Sequence, residues 1–178
     1  MEEFSDYNIN FVKLSNGSHH FEYKLGNAFF QAFENSLITE ADIFANVTLH
    51  KEQPNTFDLD FDIKGKVMVT CDRCLDDFAL PIANAFNLMV KLTDKIKENE
   101  HDITYMSFSD YQINVASYLY EICTLALPMK MECKDSGVKQ CNEEVEKKLE
   151  ELDRAKENDA DQDPRWDALK NLVKNKDK

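Results

Sequence analysis

Residues 69 to 78 read Val-Thr-Cys-Asp-Arg-Cys-Leu-Asp-Asp-Phe, so the thiols of Cys71 and Cys74 stand three positions apart at the end of a hydrophobic run. Three chemistries suit such a pair: metal binding, dithiol redox exchange, or none, with both thiols simply buried. A zinc site needs four soft or borderline ligands in a tetrahedron, which a tight pair on a turn and a second pair from a distant segment can supply. Cys133 and Cys141 offer that second pair, although seven residues separate them where a zinc knuckle usually has two to four. A redox dithiol usually carries its first cysteine at a helix N-terminus, where the dipole stabilises the thiolate. Residues 75 to 81 do not read as a helix, and Asp72, Asp76 and Asp77 oppose any acidifying effect of Arg73. The fifth cysteine, Cys123, falls within an apolar helical pattern and reads as a small core residue.

Other chemistry is sparse. His19, His20, His50 and His101 show no ligand spacing beyond adjacency, and the sequence has no phosphate-cradling glycine loop and no nucleophile elbow. Asp58, Asp60 and Asp62 alternate along a strand pattern, which aims three carboxylates at one face. A metal-dependent ribonuclease would use such a cluster, but oxygen sites usually draw ligands from several segments, and a solvated strand face explains the alternation more simply.

The elements that must position these residues alternate like sheet in the first half of the chain. Ile9, Phe11 and Val12 suggest an opening strand, and Phe21, Tyr23 and Leu25 a second one after the Asn16-Gly17 turn. Residues 27 to 35 break the period and predict a short helix presenting Phe29, Phe30 and Phe33. A period of two returns from Ala41 to Leu49 and again from Phe57 to Ile63, where acidic residues occupy every other position; that pattern favours an antiparallel sheet with one wet face. Gly65 is expected to turn the chain into the strand that delivers Cys71, and residues 78 to 92 and 103 to 106 read as further strands. These strands could close into a barrel. Ser109 or Asp110 is expected to cap a largely buried helix from about Ile113 to Leu127, which Pro128 ends.

Beyond Cys141 the composition shifts. Residues 143 to 157 are dense in Glu and Lys at helix-supporting spacings, with only Val145, Leu149 and Leu152 as an apolar seam. Asp163-Pro164 then opens a small helix carrying Trp166, Leu169 and Leu172, which needs a surface to sit against, in cis or on a partner. The expected fold is therefore α+β: a mainly antiparallel, barrel-like sheet with one buried helix and C-terminal helices. Residues 1–141 form the globular domain and 142–178 a charged helical tail.

Charge narrows the function. Acidic residues outnumber basic ones 34 to 21 in 178 residues, giving a net charge of −13, which disfavours broad contact with a phosphate backbone and favours a basic protein partner. The first residues lack the basic start and apolar run of a signal peptide, and no stretch is long enough to cross a bilayer, so a cytoplasmic protein that does not use membrane is expected. In a reducing compartment the thiols are not expected to form structural disulfides.

Several of these features occur together in one known family. Residues 69 to 78, Glu121 with Leu125-Ala126-Leu127-Pro128, Cys133 five residues after that proline, and the segment from Asp163-Pro164-Arg165-Trp166 to Leu172 resemble the YceD family of large ribosomal RNA subunit accumulation proteins, over roughly residues 60 to 173. The resemblance implies a non-enzymatic factor of ribosome biogenesis with no small-molecule substrate. Its partner would be a basic ribosomal protein, precursor ribosomal RNA, or both, and Arg73, Trp166, Leu169 and Leu172 are the candidate partner-binding residues. It further implies that Cys71, Cys74, Cys133 and Cys141 could hold zinc, with Cys141 at a spacing that is not uniform in the family. Two alternatives from other classes are a metal-dependent ribonuclease acting in RNA processing, and a zinc-stabilised domain with no RNA role.

Overall fold

A computed structural model describes residues 4–53, 55–95, 98, 102–137 and 140–159. The chain divides into two units between Lys139 and Gln140. In the first, β1 (Asn8–Ile9) is followed by a single helical turn, Phe11–Lys13, then β2 (Gly17–Leu25), helix α1 (Asn27–Gln31), β3 (Ala41–Gln53), β4 (Thr56–Thr70) and β5 (Asp77–Leu92). After these come β6 (Ile103–Met106), β7 (Ile113–Asn114), helix α2 (Ala116–Leu125) and a tight helical turn, Cys133–Ser136. The described part of the second unit contains helix α3 (Glu143–Asp159), whose first turn carries Glu143, Glu144 and Glu146, where carboxylates suit the positive end of the helix dipole.

The main sheet has the order β2-β3-β4-β5-β6, and β1 pairs separately with β7. The α+β class and the largely antiparallel pairing agree with the sequence pattern, but the sheet is open, with β2 and β6 as its two edges, and is not a barrel. One pair also departs from the antiparallel rule: β6 lies parallel to β5, from Met89↔Ile103 to Leu92↔Met106.

Alternation places the core where the sequence predicts. Ile43, Ala45, Val47 and Leu49 of β3, with Phe57, Leu59, Phe61 and Ile63 of β4, are buried, and the intervening acids are not. Leu88 and Val90 continue this face on β5. Leu119, Ile122 and Cys123 bring α2 into the core, where Tyr118 approaches Phe61 at 6.1 Å between ring centroids and Tyr120 stacks on Phe33 at 4.1 Å.

Three local expectations are corrected. Gly65 does not turn the chain: β4 runs straight through it, because its missing side chain lets β3 approach so closely that a Cβ there would lie 2.3 Å from the Asp42 carbonyl oxygen and 2.6 Å from Ile43 Cα. The buried helix starts at Ala116, later than expected, because Ile113 and Asn114 are taken up in pairing with β1, and Asn114 Oδ1 accepts the Ala116 N–H. Asp110 instead closes a turn by accepting the Ser107 N–H. Phe11 and Val12 lie in a helical turn and not in a strand, with Phe11 buried against Phe57.

Candidate metal centre

β4 ends at Thr70, and the six residues 71 to 76 fold back to start β5 at Asp77. The turn is held by its own backbone: Cys71 N–H donates to the Asp76 carbonyl, and Leu75 N–H to the Cys71 carbonyl. To close it, Leu75 adopts φ of 62°, a left-handed conformation that costs a non-glycine residue roughly 1–2 kcal/mol, and it does so while largely exposed to solvent. No helix follows Cys74, which removes the dipole that a redox dithiol would use.

The segment carrying Cys133 is fastened to this turn by Asp72. Its N–H donates to the Met131 carbonyl at 2.8 Å, and its carboxylate accepts the Met131 N–H at 2.7 Å. Glu132 then shapes the approach to Cys133. It is buried, its side chain accepts the Asp135 N–H, and Asp135 in return accepts the Glu132 N–H at 2.9 Å. Hydrogen bonds and ion pairs from Lys130 and Lys134, the latter at 2.6 Å, offset the burial of its charge and hold the Glu132 carboxyl down at about 2. Gly137 ends the turn with φ of 67°, a conformation glycine takes without strain. Sequence spacing did not single out Asp72 or Glu132; the recognisable signal was the Glu132-x-x-Asp135 capping arrangement.

These constraints gather the thiols. Cys71, Cys74 and Cys133 are buried, Cys141 is half-buried, and the four sulfurs lie within 4.8 Å of one another. Cys74 and Cys133 are in sulfur–sulfur contact at 3.5 Å. A tetrahedral zinc ion with bonds of about 2.3 Å would separate its sulfurs by about 3.8 Å, so the group has the size and the donor chemistry of a four-thiolate site. Burial on its own would raise the Cys71 thiol. Hydrogen bonds from the backbone N–H groups of Cys74, Arg73 and Cys133, and from the Cys133 thiol, outweigh that and bring it from 9.0 down to about 6. The Arg73 N–H lies 3.4 Å from the Cys71 sulfur. Backbone donors aimed at a sulfur thus stabilise the thiolate that a metal requires.

The remaining predicted residues fall elsewhere. Arg73 is exposed on the turn, while Trp166, Leu169 and Leu172 lie outside the described residues. Cys123 is buried in α2, apart from the four-cysteine group, and burial pushes its thiol up to about 12. Asp58, Asp60 and Asp62 lie on the outer face of β4, and among the described residues the four cysteines are the one grouping of three or more potential ligands. Asp60 is engaged across the strands: it pairs with His50 Nε2 at 3.0 Å and accepts from Asn87 Nδ2 at 2.7 Å. His50 Nδ1 in turn meets Ser18 Oγ at 2.8 Å, completing a serine–histidine–aspartate row that sequence order did not suggest. Ser18 and His50 are direct register partners on adjacent strands, and the Asp60 side chain is 53% exposed. The row therefore ties strands together on an open face, without the enclosed, water-poor setting that electrostatic catalysis requires.

Among the described residues, no helix is long and apolar enough to cross a membrane. The family model described as "Large ribosomal RNA subunit accumulation protein YceD" matches residues 59–173, which include the Cys-x-x-Cys turn, α2 and Cys133. No curated protein and no solved structure matches the chain.

Proposed function

The chain belongs to the YceD family, and on that premise we propose that it is a non-enzymatic factor required for large-subunit ribosomal RNA to accumulate, acting by binding a basic ribosomal protein, precursor RNA, or both. The family match is the observation that carries this reading, since its description names an accumulation role and no reaction. The net charge of −13 supports a basic protein as the more direct partner, because opposite charge speeds encounter and excess carboxylates repel phosphate. On this reading the four cysteines hold zinc as a structural ion. Zinc would supply no bond-making step; it would fix the β4–β5 turn to the Cys133 segment and so rigidify one end of the sheet.

The role of the residues is positional. Asp72 and Glu132 hold the two cysteine-bearing segments in register, and the N–H groups around Cys71 keep a thiolate ready. Depletion of the protein tests the function: mature large-subunit RNA should fall relative to small-subunit RNA and recover with the unaltered chain. Unchanged RNA ratios would leave a zinc-stabilised domain without an RNA role. Purified protein that cleaved precursor RNA, with activity lost on changing Asp58, Asp60 and Asp62, would favour the ribonuclease reading instead.

A further inference from the structure

Beside the cysteine turn lies a groove of about 530 Å³ lined by apolar Leu37, Met68 and Leu127 and by the acidic residues Glu40, Asp72 and Asp77. Among the described residues, no Lys or Arg lines it. Its floor is a strand edge. Pairing between β3 and β4 begins at Ala41↔Val67, whereas pairing between β4 and β5 continues three residues further, to Thr70↔Asp77. Met68 N–H donates on the β3 side, to the Glu40 carbonyl, and Cys71 N–H donates on the β5 side, to the Asp76 carbonyl. Main-chain groups alternate direction along a strand, so the Thr70 N–H and C=O point away from β5 into the groove.

We propose that this groove docks an extended segment of a partner protein in which Lys or Arg alternates with apolar residues, its main chain pairing with Thr70 where β4 runs on beyond the start of β3. The inference rests on the reading of the chain as a factor that binds a basic protein, and it says where that partner sits. An added strand makes main-chain bonds to the open end of the edge and sends alternate side chains to opposite faces, and the lining offers both apolar side chains, Leu37 and Leu127, and carboxylates to receive them. Three carboxylates with no basic side chain disfavour nucleic acid as the occupant, since a phosphate backbone needs cations to release its counterions. Leu37 is 73% exposed, so changing it tests the groove with little expected effect on the fold.

The test titrates the full-length, metal-replete protein at physiological salt with a short fluorescent peptide in which lysine and leucine alternate. Leu37→Ser and Glu40→Lys should each weaken binding about fivefold, while Glu151→Lys, the same charge change on exposed α3, should weaken it by less than about twofold. A peptide with proline in place of each leucine lacks half the main-chain donors and should bind far more weakly. Equal losses in Glu40→Lys and Glu151→Lys would overturn the proposal in favour of diffuse attraction. Tighter peptide binding after removal of residues 160–178 would overturn it in favour of the chain's own tail. Displacement of the peptide by a large-subunit RNA fragment, itself weakened by Glu40→Lys and Leu37→Ser, would overturn it in favour of nucleic acid. RNA accumulation in depleted cells supplying only the unaltered chain is scored separately. If RNA recovers but the peptide ignores the groove, the docking site falls and the proposed function stands; if RNA does not recover, the proposed function falls whatever the groove binds.

Discussion

Cys71 and Cys123 are both wholly buried thiols in the same unit, yet their surroundings drive them in opposite directions, to about 6 and to about 12. Cys123 sits mid-helix, where burial removes water and nothing replaces its solvation of a charge. Cys71 is equally removed from water, but it sits on a turn whose backbone N–H groups converge on its sulfur. Burial alone makes a thiol inert; burial with directed donors favours the thiolate that a metal could bind. The contrast separates a core cysteine from a candidate metal-binding one without reference to sequence spacing.

Replacing a ligand should break that contrast most severely. Cys74→Ser should reduce bound zinc from about one per chain to near zero and lower the unfolding midpoint by about 10 °C or more, because metal binding and folding are coupled. Elemental analysis and thermal unfolding of the same preparation check both. Cys141 is half-buried where its three companions are buried, so a water can take its place more easily. Cys141→Ser should therefore keep the metal but lose roughly 10–100-fold in affinity, read by competition with a chelator.

A pH series sharpens the comparison. The Cys71 thiol is depressed on folding, so in metal-free protein its contribution is complete above about 9, its ordinary value, and is lost as pH falls through about 6. Stability of the metal-free protein should decline across that window, and Cys71→Ser should remove the decline. Cys123, raised on folding, contributes no such acid-side loss and should resist alkylation in the native protein at pH 8. Cys123→Ala should cost about 1 kcal/mol through a small cavity and leave the metal content unchanged.

The smallest expected effect has the opposite sign. Leu75→Gly relieves the left-handed backbone at the cysteine turn and should stabilise the protein by about 1 kcal/mol or less, since glycine's extra freedom in the unfolded chain offsets part of the gain. Denaturant unfolding of metal-bound protein measures it.

Much of this is legible in the sequence. Alternation from Ala41 to Leu49 and from Phe57 to Ile63 marked both the strands and their buried faces, because a half-wet sheet forces a period of two. The four cysteines could be nominated but not chosen, since a gap of seven residues between Cys133 and Cys141 does not say whether their sulfurs meet. Their proximity is a tertiary fact, and the local feature the structure adds at Cys133 is a tight helical turn ending at a left-handed glycine. Sheet closure was not legible, because the same alternation serves an open sheet and a barrel. Gly65 misled for a related reason: a glycine marks either a turn or a close approach, and only the neighbouring strand decides which. Asp72 and Glu132 escaped notice because their partners are set by tertiary placement, Met131 across the turn for one and two flanking lysines for the other.

The central claim is that four thiols brought together by the β4–β5 turn and the Cys133 segment hold one metal ion. The most direct measurement is elemental analysis of the chain purified without added metal, beside the Cys71→Ser/Cys74→Ser double variant. About one zinc per chain, lost in the variant, is the predicted result. A folded, unaltered protein carrying no metal above trace, and taking none up when zinc is added, would contradict it.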